Sequence, residues 1–260
     1  MTFIMPAVTL AHREVVRFGR QRSRVLGALL TPVVFWVLLG SGLGSSFSST
    51  VTAGDTTYLE YFFPGTLALV VLFTAIFSSI SLIEDRHQGF LQAVLAAPAS
   101  RASIALGKIT GSTILATFQG MLLLALAPAA GLSLSWSAIP MVFVACLALA
   151  FALGALGFAV AWKIDSVQGF HSIMNLLLLP MWVLSGALFP AEGAAGWLRF
   201  LLTINPLTYG VAALRRALYP PEAVAAGALP SFGLSIAVTF AFGLVCYIGA
   251  TLMVSRDDTV

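Results

Sequence analysis

Residues 109–162, ITGSTILATFQGMLLLALAPAAGLSLSWSAIPMVFVACLALAFALGALGFAVAW, contain no Asp, Glu, Lys or Arg. About 20 consecutive apolar residues are enough for one α-helix to cross the hydrocarbon core of a bilayer. The stretch is long enough for two such helices, and the segment 131–137, which is rich in Gly and Ser, is the natural place for a turn between them. A run of this length without charge predicts a membrane-embedded fold, because it cannot form the surface of a soluble domain.

The rest of the chain has the same character, since 59% of its 260 residues are hydrophobic and 9% are charged. Soluble domains are typically about 45–50% apolar and about 25% charged. Four further stretches lack charged residues, and each is long enough for one helix: 25–54, 61–83, 166–191 and 223–255. We therefore expect an all-α membrane protein in which residues 26–254 hold six transmembrane helices, at about 26–44, 61–83, 104–130, 138–161, 170–189 and 232–254.

The basic residues predict the orientation, because the cytoplasmic flanks of membrane spans are enriched in Lys and Arg. With six spans, both termini lie on one side of the membrane. Ten of the 13 basic residues fall on that side, and Arg199, Arg215 and Arg216 fall on the other. This asymmetry predicts a multi-pass protein of the cell (inner) membrane with both termini in the cytoplasm.

Residues 1–25 are predicted to form an amphipathic helix on the cytoplasmic membrane surface. Apolar side chains recur at helical spacing, and Arg13, Arg17, Arg20 and Arg24 lie on the opposite face. We expect the apolar face to enter the acyl boundary and the arginines to face anionic lipid headgroups. A role of these arginines as a topology signal alone is compatible with this interpretation.

The longest predicted cytoplasmic connection, residues 84–102, contains a second short amphipathic helix. Its apolar face is formed by Phe90, Leu91, Val94 and Leu95. We expect Pro98 to end it, because the residue before a proline avoids the helical region.

The predicted outer segment 190–222 is interrupted at Asn205-Pro206. The apolar runs on either side, 200–204 and 207–214, are too short to cross the bilayer. Two short re-entrant helices that enter the outer leaflet without crossing it fit this pattern, because irregular backbone is tolerated where protein or water covers it.

Sequence motifs for catalysis, metal binding and nucleotide binding are absent. The three histidines are far apart and show no metal-ligand spacing. Cys146 and Cys246 both lie inside predicted spans, where we expect them to be packing residues. Gly107-Lys108 is followed by Ile109, so it is not a phosphate-binding loop. We therefore expect no enzyme and no resident cofactor, metal or nucleic acid.

Polar residues within the spans are few, and none is a carboxylate or a mid-membrane lysine of the kind that ion-coupled carriers use. Gln119 and Asn175 are the polar side chains whose burial costs most. They are therefore the candidates for a substrate path, and hydrogen bonding between packed helices is the alternative role for both.

Three parts of the sequence together resemble a known family. The first has an acidic start, a glycine, a leucine pair, a proline and Gly-Lys. The residues that carry it are Glu84, Gly89, Leu91, Leu95, Pro98, Arg101, Gly107 and Lys108. Phe90 and Gln92 depart from the Thr and Glu that are usual at these two positions. The second consists of Leu188-Phe189-Pro190, Trp197-Leu198, Asn205-Pro206-Leu207-Thr208-Tyr209 and Leu214-Arg215. With the arginine-rich first helix, these segments make the chain similar to the type-2 ABC transporter permeases, which include drug-resistance and polysaccharide or lipo-oligosaccharide exporters.

The resemblance implies two six-helix permease units, identical or paralogous, that work with two separate cytoplasmic ATPase subunits. In the family, the helix after span two docks on the ATPase, so the implied coupling residues are Glu84, Asp85, Arg86, Gly89, Phe90, Leu91, Leu95 and Pro98. The implied external re-entrant helices carry Phe189, Pro190, Trp197, Asn205, Pro206, Tyr209 and Arg215.

The sequence thus predicts the permease subunit of an ATP-driven exporter of a hydrophobic or lipid-linked substrate, surrounded by membrane lipids, with ATP used by the partner subunit. A permease of a sensing or resistance complex is the alternative within the family. An ion-coupled secondary carrier and a membrane-embedded enzyme are the rivals from other classes. The missing mid-membrane charges disfavour the first rival, and the missing polar constellation disfavours the second.

Overall fold

The computed structural model describes residues 3–43, 57–190, 195–219 and 229–256, without the side chains of residues 22–24. These residues form α-helices and short helical turns, with no strand among them. The helices are α1 (Ile4–Arg20), α2 (Arg22–Leu43), α3 (Tyr58–Ser78), α4 (Ile80–His87), α5 (Phe90–Ala96), α6 (Arg101–Leu124), α7 (Ala138–Lys163), α8 (Val167–Trp182), α9 (Gly196–Ile204), α10 (Pro206–Leu218) and α11 (Phe232–Arg256).

Within the described part of the chain, five helical segments are long and apolar enough to cross a membrane: Val25–Leu43, Tyr58–His87, Ala138–Lys163, Val167–Ala187 and Phe232–Arg256. Each coincides with one of the predicted spans. The second is longer than predicted because α4 continues α3 almost without interruption, and the fourth includes a wide turn after α8.

The third predicted span, 104–130, is the remaining one, and the structure does not confirm it with those bounds. Helix α6 ends at Leu124 and is followed by a 3₁₀ turn, Ala127–Ala130. Its 24 residues reach about 36 Å, so its length is sufficient. It falls short in apolarity because it contains Lys108, Gln119 and several Ser and Thr residues, most of them buried against other helices.

Helix α3 forms the centre of the bundle and packs against α2, α6, α7 and α10. It is apolar on every side, and Tyr61, Phe62 and Phe63 are fully buried. A helix that is hydrophobic all round belongs in the interior. Helices α2 and α11, by contrast, leave most of their apolar side chains exposed, as expected for surfaces that face lipid.

Helix α1 packs along α6 through two glycines. A Cβ on Gly107 would lie 2.7 Å from the carbonyl oxygen of Ala7, and one on Gly111 would lie 2.7 Å from the Cβ of Glu14. The buried face of α1 consists of Ala7, Leu10, Ala11, Glu14 and Phe18. Of the predicted apolar face, Ala11 and Phe18 are therefore covered by protein, whereas Val8 is exposed, and contact of α1 with the acyl boundary stays a prediction.

The chain turns between α4 and α5 at Gly89, whose φ of +74° is in the left-handed region. Such a φ favours glycine, which has no Cβ to clash. Helix α5 ends at Ala96, where Ala97 is already extended because Pro98 follows. The predicted connection 84–102 is therefore the end of α4, a tight turn and a separate short helix.

Candidate functional site

A cluster of charges lies where α1, α4 and α6 meet. It consists of Arg13, Glu14 and Arg17 from α1, Glu84 and Asp85 from α4, and Lys108 from α6, and we call it the charge cluster. Three cations face three carboxylates, so the cluster is neutral. This balance allows the three helices to pack closely, since buried charges require partners.

Asp85 lies at the centre of the charge cluster, and 0% of its side chain is exposed. Arg13 donates two hydrogen bonds to it, at 2.9 Å to Oδ2 and 2.8 Å to Oδ1. Arg17 donates to Oδ1 at 2.7 Å and to Glu84 at 2.6 Å, and Lys108 contacts Oδ2. Such paired guanidinium–carboxylate bonds are strong and directional. The hydrogen bond to Asp85 raises the pKa of Arg13, so this guanidinium stays charged at physiological pH.

Lys108 closes the charge cluster on the α6 side. Its Nζ donates to Glu14 Oε1 at 2.6 Å, and Ser81 donates to Glu14 Oε2 at 2.6 Å. Sequence reasoning did not select Glu14 or Ser81. The sequence did contain a signal for this pairing. Glu14 is the only acidic residue of α1, and Lys108 is a single charge close to the start of a predicted span, so each needs a partner of opposite charge.

The charge cluster also fixes α5. The guanidinium carbon of Arg13 lies 3.7 Å from the centre of the Phe90 ring, a cation–π contact, and Leu91 is buried in the core. The part of α5 that remains exposed, which we call the α5 face, consists of Gln92, Ala93 and Ala96, with Ala97 and Pro98 directly after them.

Arg86 ties the other side of α4 to the end of α7. It donates to the carbonyl oxygens of Trp162 at 2.7 Å and Ile164 at 3.2 Å, and it pairs with Asp165 at 2.8 Å. The last carbonyls of a helix have no intrahelical partner, and a cation at that end is favourable. Arg86 therefore caps α7 and connects α4 to the turn before α8.

These contacts correct part of the predicted coupling set. Asp85 and Leu91 are buried and cannot touch another protein. Glu84 and Arg86 are engaged in ion pairs within the chain. Gly89 forms the turn, and Phe90 and Leu95 are half-buried. Of the predicted set, Pro98 is the residue that lies exposed beside the α5 face.

The arginines predicted to face lipid headgroups divide into two groups. Arg13 and Arg17 face the carboxylates of α4, which corrects their predicted role. Arg20 is exposed and remains a candidate for lipid contact. The side chain of Arg24 lies outside the described residues.

At the opposite end of the bundle, α8 ends in a wide turn, Val183–Ala187, in which Gly186 has a φ of +75°. Leaving the helix frees backbone carbonyls that would otherwise accept helical hydrogen bonds. Side chains from α3 and α10 and from the residue before α10 satisfy them.

Asn205 supplies two of these bonds. Its amide donates to the carbonyl oxygens of Met181 at 2.6 Å and Leu184 at 2.8 Å, while its Oδ1 accepts from the N–H of Leu207 at 3.0 Å. It therefore caps α10 and fastens α10 to the end of α8. Pro206 follows as the first residue of α10, where its missing N–H is not needed.

Gly186 receives the next pair of bonds. Its carbonyl oxygen accepts from Arg215 at 2.7 Å and from Tyr61 at 3.1 Å, and the guanidinium of Arg215 lies 4.1 Å from the centre of the Tyr61 ring. These contacts join the end of α8 to α3 and α10.

The two short helices α9 and α10, separated at Asn205, lie where the Asn-Pro break predicts them. Tyr209 donates to the carbonyl oxygen of Thr203 at 3.1 Å and so links the two. Phe189 and Pro190 are half-buried and Trp197 is exposed. The parts of the predicted segment at 191–194 and 220–222 lie outside the described residues.

The two predicted substrate-path residues are placed differently. Gln119 is buried, accepts a hydrogen bond from Thr74 and donates at 3.4 Å to the carbonyl oxygen of Val25, so it connects α6 to α3 and α2. Asn175 is exposed on α8, beside the exposed Leu176 and Leu179. The substrate role of both residues stays a prediction.

The fold and the site together define a class. The described residues form a bundle of apolar membrane-length helices. The neutral charge cluster lies at one end of the bundle, and at the other end α8 ends in a turn that side chains of Asn205 and Arg215 hold by hydrogen bonds. No group of three or more His, Cys, Asp or Glu residues in these ranges could hold a metal ion. The molecule is a membrane-integral helical protein, and its polar groups connect its helices to one another.

Comparison with known proteins places it within that class. The sequence profile of the ABC-2 type transporter family matches residues 7–219, and the chain belongs to this family. Its relatives include the transport permease ycf38 of Cyanophora paradoxa, which is 25% identical over 82% of this chain and 74% of its own length. The doxorubicin resistance ABC transporter permease protein DrrC of Mycobacterium tuberculosis is 24% identical, over 82% and 76%. The daunorubicin resistance ABC transporter permease protein DrrB1 of Streptomyces coeruleorubidus is 23% identical, over 82% and 75%.

Proposed function

We propose that this chain is the permease subunit of an ATP-driven exporter, paired with a second permease copy and driven by separate ATP-hydrolysing subunits that dock on α5. The observation that carries the proposal is the α5 face. It is an exposed helix surface at the tip of the bundle, on a helix whose other side is fixed to α1 and to the core. A short helix of this kind fits a groove in a partner protein.

The contacts around α4 would transmit a movement of α5 to the membrane helices. The charge cluster joins α4 to α1 and α6, and Arg86 joins α4 to the end of α7 and the turn before α8. A displacement of α5 by a partner would therefore move several membrane helices together. Small shifts of packed elements are transmitted in this way because close-packed interiors do not deform continuously.

The small side chains of the α5 face suit close docking. Ala93 and Ala96 lie one turn apart and leave the backbone accessible, and Gln92 adds a hydrogen-bonding group. In the proposed topology this face is cytoplasmic, six helices cross the membrane with α6 as the third, and α9 and α10 enter the outer leaflet.

The exposed side of α8 supports pairing with a second copy. Ile173, Leu176, Leu177 and Leu179 are exposed along it, together with the amide of Asn175. A polar side chain on a lipid-exposed face is unfavourable, whereas at an interface it finds partners. We place Asn175 at this interface, where the substrate would pass between the copies.

The names of two relatives refer to resistance to doxorubicin and daunorubicin, which supports export of a hydrophobic compound. A permease of a sensing complex is the second candidate, and it shares the same α5 docking. It differs in that substrate would stimulate a response without being moved.

The double substitution Ala93→Arg/Ala96→Arg tests the proposal, because it places two bulky charges on the α5 face without touching the charge cluster. We expect unchanged yield and unfolding temperature, but loss of co-purification of a protein that carries the Gly-x-x-x-x-Gly-Lys-Ser/Thr phosphate-binding loop. Ala129→Arg, at an exposed position beyond the far end of α6, is the control. A double variant that retains its ATP-binding partner and full transport would refute docking at this face.

A further inference from the structure

A cavity of about 180 Å³ lies between the broken end of α8 and the helices α9 and α10. Its polar wall is formed by Ser185, Arg199, Thr203, Thr208, Tyr209 and Arg215, and its apolar wall includes Leu202 and Leu229. The α5 docking and the proposed substrate path do not involve this cavity.

Arg215 is the unusual residue of this wall, because it is a buried cation, 2% exposed. One of its nitrogens donates to the carbonyl oxygen of Gly186, and its buried Nε has no hydrogen-bond partner. No carboxylate in the described ranges lies within ion-pairing distance of it. A buried charge without a counter-ion is costly. The charge cluster at the other end of the bundle, with three cations and three carboxylates, shows how this chain neutralises its other buried charges.

A second guanidinium borders the same cavity. Arg199 comes from α9, is exposed, and forms no ion pair within the described part of the chain. Two arginines on one cavity, with no carboxylate among its described lining residues, are a typical arrangement for binding phosphate, whose oxygens match the donor geometry of the guanidinium.

The hydroxyl groups of Ser185, Thr203 and Tyr209 in the cavity wall are not free to donate hydrogen bonds to an anion. Thr203 donates to the carbonyl oxygen of Arg199 at 2.9 Å, Tyr209 to that of Thr203 at 3.1 Å, and Ser185 to that of Trp182 at 2.6 Å. Because these protons are already engaged, attraction of an anion depends on Arg199 and Arg215.

Helix α9 indicates where the anion comes from. Its outward face carries Trp197, Phe200 and Ile204, all well exposed, while Arg199 and Thr203 of the same helix line the cavity. A short helix with one aromatic, apolar face and one cationic face lies in the membrane interface. The cavity then opens at the depth of the lipid headgroups.

We propose that this cavity binds the headgroup of an anionic phospholipid, with its phosphate between Arg199 and Arg215. Its location on the outer face of the membrane rests on the topology given under the proposed function, whereas the binding itself does not. A bound phosphate would supply a counter-ion for Arg215, which has none within the described part of the chain. Because Arg215 also holds Gly186, the lipid would stabilise the end of α8 and its junction with α10.

The test is binding of dihexanoylphosphatidylglycerol, a short-chain anionic lipid, to the purified full-length chain in neutral detergent, measured by calorimetry. We expect Arg199→Gln and Arg215→Gln each to weaken binding by about tenfold, the loss expected for one charge-assisted contact. Arg199→Lys should retain more of the affinity than Arg199→Gln. Arg101→Gln, which removes the same charge at the other end of the bundle, should bind normally. Arg199→Gln leaves the contacts of Gly186 intact, so it remains informative if Arg215→Gln does not fold.

Wild-type affinity in both Gln variants would overturn the proposal, and so would equal binding of dihexanoylphosphatidylcholine. Saturation by inorganic phosphate at the same concentration as the lipid would overturn the lipid assignment. The measurement uses neither ATP nor a partner subunit. Its failure would therefore leave the proposed export function standing, and failure of export would leave this result unchanged.

Discussion

Arg13 and Asp85, 72 positions apart in the chain, are joined by two parallel hydrogen bonds of 2.9 and 2.8 Å. The pair connects the first helix of the protein to the helix that precedes α5. Arg13 also lies against the ring of Phe90. One side chain of α1 therefore contacts both α4, through Asp85, and α5, through Phe90. The orientation of the α5 face therefore depends on α1.

Asp85→Asn should destabilise the protein by about 3 kcal/mol or more, because it leaves Arg13, Arg17 and Lys108 without their shared buried carboxylate. The measurement is equilibrium unfolding of the purified chain in detergent. The control is Asp165→Asn, since Asp165 also pairs with an arginine but its side chain is 89% exposed, and such a pair contributes about 0–1 kcal/mol. Equal stability of the two variants would contradict the role of the charge cluster.

Gly107→Ala should loosen the packing of α1 on α6, because the new Cβ would meet the carbonyl oxygen of Ala7 at 2.7 Å. Overpacking of this kind destabilises by about 1–3 kcal/mol. Gly249→Ala in α11 meets no atom within 4 Å, so it should be neutral or slightly stabilising. Unfolding in detergent distinguishes the two, and a Gly107→Ala protein as stable as the control would show that α1 does not need this close approach.

Features of the fold that depend on local sequence were predictable, whereas features that depend on contacts between distant residues were not. Charge-free runs located five membrane-length helices within a few residues, because length and composition are local properties. The span at 104–130 was predicted too long, since α6 ends at Leu124 and a 3₁₀ turn that contains Pro128 follows it. Arg13 and Arg17 lie on one face of α1 as predicted, but helical spacing does not reveal what covers that face. Their carboxylate partners lie about 70 residues away.

The outer region illustrates the same limit. The break at Asn205-Pro206 was predictable because proline and its preceding residue act locally. The bonds from Asn205 to Met181 and Leu184 were not, because they depend on the left-handed turn at Gly186, for which a glycine alone is a weak signal. Likewise, Arg215 was selected from a family resemblance, and only the structure shows that it is buried with no ion-pairing carboxylate among the described residues.

Asn205→Ala should destabilise the protein by about 2 kcal/mol, since it removes the cap of α10 and two bonds to the end of α8. Thr208→Val in the same motif removes one long contact, 3.4 Å to the carbonyl oxygen of Leu184, and should change stability much less. Thermal unfolding in detergent gives the comparison. A larger effect of Thr208→Val would mean that Asn205 is not the main link between α8 and α10.

The proposed topology predicts opposite labelling of two exposed positions. In a Cys146→Ala/Cys246→Ala background, a cysteine at Gln88 should react with an impermeant thiol reagent only after the membrane is opened. A cysteine at Trp136, which lies between α6 and α7, should react in intact cells. The basic residues beside α5 and the even number of spans give this expectation. Labelling of position 88 in intact cells, with position 136 protected, would reverse the orientation.

The most direct test of the account is photo-crosslinking from the α5 face in native membranes. A photoreactive side chain at Gln92, which is exposed and outside the charge cluster, should crosslink to a protein that carries an ATP-binding phosphate loop, and the yield should fall when Ala93→Arg/Ala96→Arg is added. The same probe at Trp136 should not capture that protein. Crosslinks from Gln92 to lipid alone, or capture of the ATP-binding protein from Trp136 in its place, would contradict the assignment of α5 as the helix through which ATP hydrolysis moves this permease.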